Sequence, residues 1–108
     1  MSLIDKQFVF EYPQDINTVY GKILSVSSAI EGLYPDYTDN ARYTLYLKSG
    51  VTFWSWGENV SIQCVPVTNN LTRVIIISKP KLPTTLIDFG KGKRNVNNVL
   101  AALRRVLV

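Results

Sequence analysis

The chain has 108 residues, 46% of them hydrophobic and 19% charged, with a formal net charge of +4. That is the size of one globular domain, 1–108, able to bury roughly 60–70% of its unfolded surface without disulfides or metals as staples. One cysteine, Cys64, and no histidine exclude an internal disulfide, every Ser-His or Cys-His catalytic pairing and the usual zinc-binding spacings.

The segment Gln7-Phe8-Val9-Phe10-Glu11-Tyr12 alternates strictly, which predicts a half-buried strand with Phe8, Phe10 and Tyr12 on one face, ended by Pro13. From Asp15, a suitable helix N-cap, Ile16, Val19, Tyr20, Ile23, Leu24 and Ile30 recur at helical spacing, so 15–31 reads as an amphipathic helix. Gly21 inside it costs on the order of 1 kcal/mol relative to alanine, a cost that close approach to a sheet would explain. Residues 32–40, with Pro35, Tyr34 and Tyr37 and no period, read as a loop.

Four strand-like segments follow, 41–48, 51–56, 60–67 and 71–79, joined by short turn signals such as Ser49-Gly50 and Thr68-Asn69-Asn70; short links predict an antiparallel meander. Val74-Ile75-Ile76-Ile77 is apolar on both parities, as in a strand covered on one side by helices and on the other by something else. After a connector at 80–89, a stripe of Val96, Val99, Leu100, Leu103 and Leu107 predicts a second amphipathic helix. Strands in a run with helices at either end of it imply an α+β domain: one curved antiparallel sheet, both helices on one face and the other face open.

Two candidate sites emerge. Tyr46, Trp54 and Trp56 fall on matching parities of neighbouring strand segments, so a hairpin sets them side by side on one sheet face, with Tyr43, Leu45 and Phe53 on the other. An exposed aromatic patch of that kind marks an interface. The second site is charge. Residues 79–108 carry seven basic residues and one acidic (net +6), whereas residues 1–78 carry five basic and seven acidic (net −2). Within the basic part, Lys91, Lys93 and Arg94 sit where the last helix begins, a place where free amides and cations favour an anion. It is not a nucleotide-binding P-loop, because the Gly to Gly-Lys-Ser/Thr spacing is absent.

Other functions find little support. The aromatic cluster of an RNA-recognition motif is missing and the cations gather at one helix start, so nucleic acid is not expected as a partner. The eight carboxylates are scattered, with Asp36, Asp39 and Glu58 in predicted loops. Cys64, mid-strand with no basic neighbour to lower its pKa, reads as core filler. Asp88, ahead of the basic turn, reads as a helix cap or ion-pair partner. No catalytic residue, metal or cofactor is expected. No apolar run approaches the roughly 18–20 residues that span a bilayer and no signal peptide is evident; with the single cysteine this gives a cytoplasmic expectation.

Ser55-Trp56-Gly57-Glu58-Asn59-Val60, Ser78-Lys79-Pro80-Lys81-Leu82-Pro83-Thr84, Ile87-Asp88-Phe89-Gly90-Lys91 and Asn95-Val96 resemble a family of small uncharacterised bacterial domains over roughly residues 40–108, with Phe89 where that pattern has Trp. The layout is also similar to a shortened helix-grip domain of the polyketide-cyclase and START type, with a TATA-binding-protein-like sheet as the other form of the same order. The helix-grip resemblance implies an apolar ligand between sheet and last helix, in a fold here short of one strand pair.

The reading is therefore a non-catalytic binding or interaction domain. It uses the helix-free face at Tyr46, Trp54 and Trp56 to meet a second copy or a protein partner. The alternative is an anion or lipid-headgroup binder in which Lys91, Lys93 and Arg94 hold a phosphate and the aromatic face meets the apolar part of the small molecule.

Overall fold

The structure, a computed structural model, describes residues 6–49, 58–80 and 91–107. Strands β1 (Lys6–Tyr12), β2 (Tyr34–Asp39), β3 (Thr44–Lys48), β4 (Glu58–Thr68) and β5 (Leu71–Pro80) form one antiparallel sheet in the order β1-β5-β4-β3-β2. Helix α1 (Ile16–Ser25) lies between β1 and β2, and α2 (Lys91–Leu103) follows β5. The order strand, helix, four-strand meander, helix is the expected one.

Its membership differs in one place. Residues 34–39, expected as loop, are the edge strand β2, while the expected strand 51–56 lies outside the described residues. Alternation fails to reveal β2 because none of its residues is buried, so neither parity had to be apolar.

Local chemistry sets the helix ends. The Asp15 carboxylate caps α1, accepting from the Thr18 backbone N–H at 3.1 Å and the Thr18 hydroxyl at 2.6 Å, two bonds that hold its pKa below the ordinary carboxylate value. The helix stops at Ser25 rather than near 31. Ser25 turns its hydroxyl back to the Lys22 carbonyl at 2.6 Å, and a 3₁₀ turn over Ser27–Ala29 follows; serine favours such local bonds over continued helix. Ile30 is still buried, delivered by that turn and by Gly32 at φ +77°, a left-handed conformation that suits glycine.

Gly21 does not approach the sheet. It is exposed, and a Cβ placed on it would meet nothing within 4 Å. Tyr43, expected within a strand, sits just before β3 at φ 50°. Its ring meets that of Tyr20 edge-on at 5.4 Å, and its hydroxyl donates to Asn17 Oδ1 at 3.1 Å. These contacts offset an uncommon backbone conformation for a bulky residue.

Both helices pack on one sheet face around a single core. Val19, Tyr20 and Ile23 of α1 and Val96, Val99, Ala102 and Leu103 of α2 join Leu45, Leu47, Val60, Ile62, Cys64, Val74 and Ile76 from the strands. Register explains the selection: Ile62 lies opposite both Leu45 and Ile76, and Cys64 opposite Val74, so one parity of every central strand turns inward. Cys64 is 2% exposed, and burial pushes its thiol up to about 12, which suits core filler and not a nucleophile.

Candidate functional site

The opposite parity makes the helix-free face. Tyr46 lies across from Tyr37 on β2 and Ser61 on β4, Ser61 across from Ile77 on β5, and Asn59 across from Lys79. Tyr37 and Tyr46 stack with ring centres 4.4 Å apart and planes within 17°. Tyr37 remains 57% exposed, so the stack presents aromatic surface to solvent. Beside it runs a shallow groove of about 200 Å³ whose walls include Tyr46, Asn59, Ser61, Ile77 and Lys79. Ile75 and Ile77 are half-buried, and Val9 on β1 continues the apolar row at 44% exposure. Charges border the row in pairs: Arg73 with Glu11 at 2.9 Å and Lys48 with Asp36 at 3.8 Å.

A second concavity lies on the other side, between β1 and α2. Phe8, Phe10, Tyr12, Leu100, Leu103, Arg104 and Leu107 line a groove of about 270 Å³. It is apolar except for Arg104 at its wall. Alternation in β1 and helical period in α2 each expose their stripe in the sequence. That the two stripes meet is a tertiary fact.

Near the start of α2 the core carries polar groups. Glu58 is fully buried and accepts from the Ser78 hydroxyl at 3.3 Å, and the Asn95 side-chain amide donates to the Ser78 oxygen at 3.2 Å. The Glu58 backbone N–H donates to the Ser49 hydroxyl at 2.8 Å, and the Ser49 N–H donates to the Glu58 carbonyl at 2.9 Å. Glu58 is therefore a strand residue turned into the core, not a loop carboxylate open to substrate. A buried polar group of this kind is held by its hydrogen bonds. Its signal in the sequence is parity: Glu58 shares a side with Val60 and Ile62.

The structure describes part of each sequence-predicted site. Tyr46 is on the helix-free face, whereas Lys93 and Arg94 are exposed on the first turn of α2, on the other side of the sheet. Lys91 opens the helix. Trp54 and Trp56, like Phe53 and Asp88, lie outside the described residues. Tyr37, Ser61 and Ile77 are the additions that sequence reasoning missed. Among the described residues no group of three His, Cys, Asp or Glu side chains gathers to hold a metal, and no helix is long and apolar enough to cross a membrane.

No protein-family model matches the chain, and no curated protein matches it in sequence. Solved structures do match its shape. A structural-genomics protein from Nitrosospira multiformis superposes with a TM-score of 0.69 at 9% identity, covering 96% of each chain. The di-domain ARO/CYC BexL from the BE-7585A biosynthetic pathway gives 0.68 at 14% identity, covering 96% of this chain and 46% of its own. A START superfamily protein from Mycobacterium smegmatis gives 0.59 at 13% identity, covering 95% and 93%. At such identities the likeness is one of fold, and the fold is of the helix-grip type. The finer resemblance to a bacterial domain family has no family match behind it, and much of its motif, 55–57 and 81–90, lies outside the described residues.

Proposed function

We propose that the chain is a non-catalytic binding domain that receives a protein partner on its helix-free face. The observation that carries this reading is the Tyr37–Tyr46 stack at the rim of an open groove that, among the described residues, no helix covers. Rigid aromatic pairs beside a partly apolar floor are the usual anchors of protein recognition, because they bury much area for little lost side-chain freedom. Ile77 supplies the floor, Asn59 and Ser61 supply hydrogen-bonding groups, and Lys79 supplies a cation for an acidic side chain.

The test is an amide NMR titration with indole, a mimic of an anchoring side chain, and with phenyl phosphate. The reading expects indole to shift residues 46, 61, 77 and 79, and Tyr46→Ala to remove the shifts. Shifts confined to residues 8, 10, 100 and 103 would instead make the groove under α2 the binding site. Phenyl phosphate acting only at residues 91–96 would favour an anion or headgroup site at Lys91, Lys93 and Arg94. Either result would overturn the face reading.

A further inference from the structure

We infer that β1 is an association edge, built to pair antiparallel with β1 of a second copy of this chain. The inference does not depend on what the helix-free face binds.

The two edges of the sheet are treated in opposite ways. At β2, Pro35 removes a donor, the register shifts between Pro35 and Tyr37, and Asp36 and Asp39 bring charge. These are the devices that keep an edge strand from recruiting another strand. β1 has neither the proline nor the register shift, and its charged residues are Lys6 at its start and Glu11. The run Gln7-Phe8-Val9-Phe10-Glu11-Tyr12 has no proline or glycine, pairs with β5 in unbroken register, and among the described residues pairs with no other strand. Its one carboxylate, Glu11, is already held by Arg73 through Nε at 3.2 Å and Nη2 at 2.9 Å. Phe8 on one side and Val9 on the other remain 43% and 44% exposed. An unblunted edge with apolar groups on both faces is a liability unless something covers it.

The strand's own pattern selects a second copy as the cover. A two-fold axis perpendicular to the sheet keeps each parity on its own side, so only registers that match parity are allowed. Centred on Val9, the pairing uses all seven residues of β1. Phe8 meets Phe10 of the second copy on the helix side, Val9 meets Val9 on the helix-free side, and Gln7 meets Glu11, amide to carboxylate. No like charges face each other. The Phe8–Phe10 pairs also extend the wall of both apolar grooves, since the two rings already line them and stand 6.2 Å apart within one chain. The product is one sheet of ten described strands with two helix-free faces in continuity.

Sedimentation equilibrium over a concentration series reaching the millimolar range tests this, with register read by charge. Gln7→Lys places a new ammonium opposite Glu11 of the second copy and tightens the dimer. Gln7→Glu places like charges together and loosens it. Two symmetric pairs move the dissociation constant about 2- to 30-fold in each direction. Val9→Cys, at an exposed position, crosslinks to itself on mild oxidation, because residues directly opposite fall within disulfide reach. Val67→Cys, exposed at the far end of β4, does not. A monomer at every concentration overturns the proposal, as does a dimer indifferent to the sign of charge at Gln7. A dimer that Tyr46→Ala dissociates while the Gln7 variants leave it unchanged places self-association on the helix-free face and overturns the edge pairing alone.

Discussion

Strand β5 presents nearly the same residues to two different environments. Val74 and Ile76 point under the helices and are fully buried, while Ile75 and Ile77 point to the open face and are half-buried. Composition alone does not distinguish these parities; the helices do. Inward, a β-branched side chain meets α1 and α2 and contributes the full transfer term of about 1.5–3 kcal/mol. Outward, among the described residues, no helix covers it and it keeps part of its apolar surface in contact with solvent. The inner face therefore carries stability, and the outer face holds surface that only a partner would bury.

The largest test of that contrast is Ile76→Ala, which should cost about 2–5 kcal/mol in chemical denaturation by opening a cavity. Ile77→Ala, one residue away and half-buried, should cost only about 1 kcal/mol. Equal losses would show the open face to be a second core.

Ser78→Ala sharpens the comparison within the inner face. It strips a donor from Glu58 and an acceptor from Asn95, an expected loss of about 1–3 kcal/mol. Ser61→Ala, on the open face, should be close to neutral.

Alkaline pH tests the inner face differently. Burial raises the Cys64 thiol from 9.0 to about 12, so the folded chain favours the neutral form. Its stabilising effect is complete below pH 9 and is lost as pH rises from 9 toward 12, by up to about 1.4 kcal/mol per pH unit. Tyr20, raised by burial and by the nearby Cys64 and Asp39 charges, adds a limb of the same sign above its ordinary value of 10.0. Denaturation across this range should show Cys64→Ala losing the first limb and keeping a weakened second one, since burial and Asp39 still raise Tyr20.

The smallest expected effect is a gain. Gly21→Ala, on the solvent side of α1 with open space at its Cβ, should stabilise the chain by about 0.5–1 kcal/mol in thermal melts. A loss there would mean that this helix surface is covered by a partner.

The chain's own pattern determined more of the frame than of the site. Alternation at residues 7–12 and the helical stripe from Val96 to Leu103 correspond to β1 and α2, with Leu107 past the helix end, and Asp15 acts as the cap its chemistry predicts, because each is a local arrangement. Tyr46 was legible as a face residue, since parity along one strand is also local. Its stacking partner was not: Tyr37 lies on an edge strand with no buried residue, so the period that reveals strands is missing. Glu58 shows the limit from the other side: its parity matches Val60 and Ile62, but the hydrogen-bonding groups of Ser78 and Asn95 that meet it inside come from distant segments. The sequence alone determined which residues alternate and which repeat every three or four positions. Which parity meets the helices, which cations share a side with which aromatics, and which edge stays open were decided by tertiary structure, because they depend on contacts between segments far apart in the chain.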